Sequence, residues 1–213
     1  MGAKEYFGDV VVYETDTIES KVIGLFTHSK MNHCALRISE CEAESSDLGT
    51  WIHQRNFLRH NLEEPEKFVK NYKILRHEDI TPEKRDSMKN FYQKVGKEYD
   101  IWRIVRLARR HIRKIEQDMT DLTTNPNSLG YYFAKMIMYR FGNGKRKNDE
   151  SIDEILKRHD CSAMIRLVHD FGGLDYDRFN KIHPTQFEPY QFLNVPKLKI
   201  VDEWKRQIVP KKK

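Results

Sequence analysis

The sequence predicts an α+β fold, with a β-rich first third and helices that follow it, and three observations carry that reading. Val10, Val11 and Val12 form a β-branched run after Gly8-Asp9, as in a buried strand. Asn32 to Ser39 alternates, with His33, Ala35 and Arg37 on one face and Cys34, Leu36 and Ile38 on the other. Beyond Thr81-Pro82, and again beyond Cys161, the two-residue period gives way to a helical one.

After the alternating strand, the polar stretch ECEAESSDLG suits a long hairpin loop, and Thr50 to Arg55 resumes as a strand with Trp51 and His53 on one face. A further strand is expected around Tyr72, Ile74 and Leu75. Thr81 caps a helix with Pro82 at its first position, an apolar stripe of Met88, Phe91, Tyr92 and Val95, and Gly96 to end it. A second helix is expected from about Ile101 to Met119. Its apolar Ile101, Ile104, Val105, Ala108, Ile112 and Ile115 recur beside Arg103, Arg106, Arg109, Arg110, Arg113 and Lys114. TDLTTNPNSLG breaks it, and the aromatic-rich GYYFAKMIMYRF suits another helix before the loop GNGKRKND. Ser151 with Glu154 is a capping-box pattern for a short helix through Arg158. The helix after Cys161 runs to Gly172-Gly173, VPKLKIVDEW reads as a last strand, and PKKK as a frayed tail.

At 213 residues the chain suits one domain, 1–213, carrying a helical insertion at about 101–150. Hydrophobic residues at 38% and charged residues at 33% exclude a wholly disordered chain. The net charge of +6 favours anionic partners, and because 38 Lys and Arg face 32 Asp and Glu, the excess is local. Cys34, Cys41 and Cys161 are too few and too irregular for a disulfide framework, and no Cys-x-x-Cys pair suggests structural zinc. A metal site from His28, His33, Cys34 and Cys41 lacks ligand spacing, so neither metal nor cofactor is expected. The start has no apolar signal core, no run is long enough for a membrane span, and Tyr6 stands where a myristoylation motif wants Ser or Thr. A reducing, cytoplasmic setting is the expectation, with peripheral attachment to a membrane compatible with it.

Cys161 is the residue on which chemistry turns. A thiol becomes a nucleophile as its thiolate, and a helix N-terminus and a neighbouring imidazole both lower its pKa. Asp160-Cys161-Ser162-Ala163 leads into Met164, Ile165, Leu167 and Val168, so the sulfur stands in the first turn of a buried helix. By itself, that placement favours a small core residue at a helix start.

The surrounding residues add a resemblance. Asp160-Cys161-Ser162-Ala163, followed by an apolar helix and paired glycines, resembles the nucleophile motif of NlpC-type papain-like hydrolases, Asp-Cys-Ser-Gly-Leu-Val. Here Gly8-Asp9-Val10-Val11 and Asn32-His33-Cys34-Ala35-Leu36 precede the cysteine, which is the order of the circularly permuted members. Those are the YaeF/YiiX-like bacterial proteins, a poxvirus late-protein group and, more distantly, lecithin:retinol acyltransferase-like proteins. Gly96-Lys97-Glu98-Tyr99-Asp100 and His183-Pro184-Thr185-Gln186-Phe187 are similar to further elements of the first two groups. The resemblance spans roughly 8–55, 80–100 and 158–200. It implies a permuted papain-like fold, an antiparallel sheet or barrel packed against the cysteine-bearing helix. It also implies Cys161 as nucleophile, His33 as base and His53 as the third, orienting residue, with Glu42 or Glu44 as competitors. The oxyanion falls to the backbone N–H of Cys161, with Tyr99 as a side-chain donor or simply a packing aromatic. Ala35, small and on the face of His33, is expected to let the cysteine helix approach. Cys34 reads as core, Cys41 as an exposed loop thiol, and His28, His60, His111, His159 and His183 as surface or loop residues.

The insertion departs from the family pattern. From Arg103 to Lys114, Arg103, Arg106, Arg109, Arg110, Arg113 and Lys114 meet no acid on a helix whose other face is apolar. That suits an anionic membrane surface, and equally a solvated basic face. With Tyr131, Tyr132, Phe133, Met136 and Phe141 as a lid, the expected substrate is an acyl-lipid or acylated molecule handled through a thioester. A peptidase or amidase would use the same apparatus. A nucleic-acid-binding protein, drawing on Lys145-Arg146-Lys147, and an inactive scaffold are the readings from other classes.

Overall fold

The computed structural model describes residues 6–27, 29–46, 57–94, 98–99, 158–159 and 161–207. In chain order the elements are β1 (Val10–Thr15), α1 (Ile18–Thr27), β2 (His33–Arg37), β3 (Glu42–Ser46), β4 (Phe57–Asn61), β5 (Val69–His77), α2 (Pro82–Tyr92), β6 (Glu98–Tyr99), β7 (Arg158–His159), α3 (Cys161–Phe171) and β8 (Leu198–Lys205). Three 3-10 turns, Asp177–Lys181, Pro184–Gln186 and Pro189–Asn194, join α3 to β8. Six strands form one antiparallel sheet in the order β4-β3-β2-β1-β5-β8, and β6 pairs with β7 in parallel. The molecule is α+β, as the change of period predicts.

Both faces of the sheet are buried. Val10, Val12, Cys34, Leu36 and Leu75 lie on the face that carries α2, α3 and the 3-10 turns; Val11, Tyr13, Ala35, Ala43, Tyr72 and Ile74 make the core of the other. The three valines of β1 are fully buried, each contributing about 1.5–3 kcal/mol of transfer free energy. The turn before β1 is fixed by charge. Asp9, fully buried, accepts from Arg76 Nε at 2.8 Å and Nη2 at 2.6 Å, with Arg37 Nη1 at 3.7 Å and the Arg37 guanidinium 4.0 Å from the centre of the Tyr6 ring. Gly8 beside it has φ +94°, a backbone conformation that residues with a Cβ rarely adopt, so the turn favours glycine there.

α2 begins as its sequence predicts, with Pro82 in the first turn and Thr81 Oγ1 accepting from the Lys84 N–H at 3.4 Å, but it ends at Tyr92. Val95 and Gly96 lie outside the described residues. The aromatic 3-10 region wraps the remaining side of α3: Tyr176, Phe179, Phe187 and Phe192 are buried, with the Phe187 and Phe192 rings 4.7 Å apart.

Several expectations are corrected. The stretch read as a hairpin loop contains β3, whose Ala43 and Glu44 are buried while Leu36 pairs with Glu44 and Arg37 with Ala43. The first third also holds α1, whose Ile18, Val22, Leu25 and Phe26 recur at helical spacing. Arg158 ends no helix and belongs to β7. Cys41 is half-buried rather than an exposed thiol. Of the histidines read as surface or loop residues, His60 is buried on β4 and His183 is half-buried ahead of Pro184. The strand expected at 50–55, the helices expected at 101–119 and 130–141, and His28 and His111 lie outside the described residues.

Candidate active site

α3 carries Cys161 as its first residue, and Cys161 through His169 are all buried. The rest of the helix is held by named contacts. Ser162 Oγ donates to Phe187 O at 2.5 Å, tying the first turn to the 3-10 region. Arg166 Nε donates to Asp170 Oδ1 at 2.8 Å, and its guanidinium carbon lies 4.1 Å from the centre of the Tyr176 ring. His169 Nε2 donates to Gly8 O at 2.7 Å, leaving Nδ1 to accept from Tyr176 Oη at 2.5 Å. Burial first, and the charges of His77 and Arg166 after it, hold the His169 imidazole down at about 3, so it is neutral and serves the fold.

The bond from His169 to Gly8 fixes which way α3 lies. The Gly8 N–H donates to Arg37 O at 3.2 Å, so the C-terminal end of α3 sits at the Arg37 end of β2, against which the helix packs. From His169 back to Cys161 the helix rises about 12 Å. From Arg37 back to His33 the strand spans about 13 Å. Laid along β2, the helix would bring Cys161 level with the His33–Cys34 end of the strand.

The face is different from the one expected. Cys34 and Leu36 share the apolar cluster of Cys161, Met164, Ile165 and Val168, whereas Ala35 belongs to the cluster on the opposite side. The expectation that Ala35 admits the helix is thus corrected, because the helix rests on the alternate residues of β2. His33 pairs across the sheet with Tyr13, so alternation gives it the Ala35 face. There its ring centre lies 6.1 Å from Tyr13 and 6.1 Å from His60. The strand starts from a clamp: Asn32 Oδ1 accepts from Thr15 Oγ1 at 2.9 Å and Asn32 Nδ2 donates to Thr15 O at 3.3 Å. His33 is half-buried and stands at the margin of the sheet.

His60 is the residue that sequence reasoning passed over. Its Nδ1 lies 3.6 Å from Glu66 Oε1, its ring is 5.3 Å from Tyr13, and burial, followed by the charge of His33, lowers its pKa to about 4. The alternation was readable: Leu58, His60 and Leu62 share one parity between exposed Arg59 and Asn61, and Leu62 is buried as His60 is. Among the candidates for a third residue, Glu44 lies on the face of Leu36, the helix side, where it accepts from the Tyr92 hydroxyl and raises the Tyr92 pKa alongside burial. Glu42 faces Arg59 at 3.9 Å, and His53 lies outside the described residues. Tyr99 pairs through its backbone with His159, two residues ahead of Cys161. Arg103, Arg106, Arg109, Arg110 and Arg113 lie outside the described residues.

Among the described residues no group of three or more His, Cys, Asp or Glu side chains is arranged to hold a metal ion. Among them, too, no helix is long and apolar enough to cross a membrane. No family model matches the chain, and no curated protein matches it.

Proposed function

We propose that this protein is a cysteine hydrolase or acyltransferase of a circularly permuted papain-like kind, with Cys161 as nucleophile, acting on an acyl-lipid or other acylated substrate. The observation that carries the reading is the position of Cys161, the first residue of a buried helix that packs on β2, the strand that His33 begins. The helix dipole lowers the pKa of a thiol at that end and favours negative charge developing beside it. His33 and Cys161 meet, in this reading, around the margin of the sheet rather than across one face of it.

The chemistry runs in two steps. The Cys161 sulfur attacks the acyl carbonyl, and the alcohol or amine leaves with a proton from the His33 imidazolium, giving a thioester. Water, or an acceptor alcohol or amine, then adds to the thioester and yields its proton to His33. The thiol is released with a free acid or a transferred acyl group as product. His53 orients His33, Tyr99 contributes at the oxyanion, and Arg103, Arg106, Arg109, Arg110 and Arg113 meet an anionic lipid surface.

Intact-mass analysis after incubation with a mixed lipid and peptide extract tests this. An acyl adduct on Cys161 is expected, absent in Cys161→Ala and formed at least about a hundredfold more slowly in His33→Ala. An adduct drawn from the peptide fraction alone would make the enzyme an amidase. No adduct, together with iodoacetamide labelling of Cys161 at the pH dependence of an ordinary thiol, would remove the nucleophile.

A further inference from the structure

His33 is flanked by a ring that the chemistry just described does not use. Tyr13 stands directly opposite it on β1, in an antiparallel register that sets the two Cβ atoms about 5 Å apart. The Tyr13 and His33 ring centres lie 6.1 Å apart with their planes tilted by 31°, so the imidazole lies alongside the phenol rather than across it. His60 meets His33 edge-on, 6.1 Å away at 81°. A near-parallel neighbour and an edge-on neighbour together restrict both side-chain torsions of His33. Tyr13 itself has little room to move. It is 1% exposed, with His60 at 5.3 Å and Tyr72 at 6.1 Å from its ring centre. Its carbonyl accepts from the Asn32 N–H at 3.0 Å, which fixes the main chain just ahead of His33. The Tyr13 hydroxyl makes no hydrogen bond among the described residues. A buried hydroxyl without a partner costs the fold stability, so what Tyr13 contributes there is its ring.

We propose that Tyr13 is the positioning residue of His33, holding the imidazole at the margin of the sheet through its ring and not through its hydroxyl. The inference rests on His33 being the base of the proposed function. A base must keep a nitrogen within hydrogen-bond reach of the thiol, and an imidazole that turns freely about χ1 and χ2 spends little of its time there. Ring packing from Tyr13 supplies the restriction without engaging either imidazole nitrogen. His60, whose pKa is lowered to about 4 by burial first and by the charge of His33 after it, stays neutral at neutral pH. The second ring of the notch therefore does not repel the imidazolium that His33 becomes during the reaction.

The test uses the full chain and iodoacetamide as the probe, with the rate of Cys161 labelling followed by mass between about pH 5 and pH 9. In the wild type the labelling midpoint should lie at least about one unit below that of an ordinary thiol, about 8.5, and His33→Ala should bring it back. Tyr13→Leu, which keeps an apolar side chain and loses the ring, should slow labelling near pH 6.5 at least about fivefold. Tyr13→Phe, which returns the ring without the hydroxyl, should recover the wild-type profile and resist urea at least as well as the wild type. Val11→Ala, in the same apolar cluster and paired with Ala35, should lower the urea midpoint without moving the profile. Where Tyr13→Leu does not fold, the more adaptable Tyr13→Met takes its place, and failure of both assigns Tyr13 to the core of the sheet and overturns the inference. A Tyr13→Phe profile that follows Tyr13→Leu overturns it, because the hydroxyl would then be the acting group. So does a Val11→Ala that shifts the profile as far as Tyr13→Leu does. A His33-dependent profile that survives Tyr13→Leu overturns it while leaving the proposed function standing. A wild-type midpoint near that of an ordinary thiol, unchanged by His33→Ala, overturns both.

Discussion

The two ends of α3 are held in opposite ways. At its C-terminal end His169 is committed on both nitrogens, to Gly8 O and to the Tyr176 hydroxyl, while Gly172 leaves no room for a Cβ, which would lie 2.5 Å from Met88 Cγ. At its N-terminal end Ser162 ties the first turn to Phe187 O, and Cys161, the proposed nucleophile, belongs to the apolar cluster. The His169 end is built of buried polar contacts that are costly to break. The two histidines repeat the contrast. His169 is buried and neutral with both nitrogens occupied, while His33 is half-buried at the sheet margin. A helix anchored at the end away from Cys161 would hold the proposed nucleophile in register without spending its chemistry on the fold.

The sharpest way to break this comparison is His169→Ala. Removing the imidazole leaves a cavity and strips Gly8 O and the Tyr176 hydroxyl of their partner, so a loss of about 4 kcal/mol is expected in urea unfolding. A loss below about 1 kcal/mol would mean that the anchor lies elsewhere, and the register inferred for Cys161 would go with it.

Next in size is the pH dependence. His169 in the folded protein titrates at about 3 and His60 at about 4, both below the ordinary 6.5, with burial the largest cause in each. The unfolded chain therefore binds more protons than the folded one from pH 6.5 down to those values, and stability falls as pH falls through that window. Between pH 7.5 and 5 each histidine sheds about 2 kcal/mol. The carboxylates of Asp79 and Asp175, held low by Lys197, lose their stabilising ionisation only below their ordinary 3.8, outside that interval. Unfolding midpoints in urea at the two pH values measure the effect, and an unchanged midpoint would mean that both rings accept a proton in place.

How much of this was legible in the sequence divides along the same helix. Asp160-Cys161 followed by an apolar run and two glycines gave α3 with its start and stop, Thr81-Pro82 gave the start of α2, and the valines gave β1. The side of β2 that the helix takes is the more apolar one, Cys34, Leu36 and Ile38, whereas the resemblance, by putting Ala35 under the helix on the face of His33, pointed to the other. β3 reads as loop since four of its five residues are polar or charged. Its order comes from pairing with β2 and β4 and from the Tyr92 hydroxyl bound to Glu44, contacts made far along the chain. His60 was legible in part, since Leu58 and Leu62 share its parity on either side, but the rings that bury it, Tyr13 and Phe68, come from other parts of the chain.

The smallest expected effect sharpens the contrast most directly. Cys161→Ala removes one sulfur from an apolar cluster, and the backbone of α3 stays held by His169 and Ser162, so no more than about 1 kcal/mol of stability should be lost. The same variant should lose all acyl adduct formation. Measured beside His169→Ala under identical conditions, the pair separates the two ends of the helix: one substitution costs the fold and the other costs the chemistry. If Cys161→Ala destabilised as much as His169→Ala, Cys161 would be a packing residue at a helix start, and the case for a thiolate there would fail on stability alone. A small loss with chemistry abolished is what a nucleophile held by its neighbours, rather than holding them, should give.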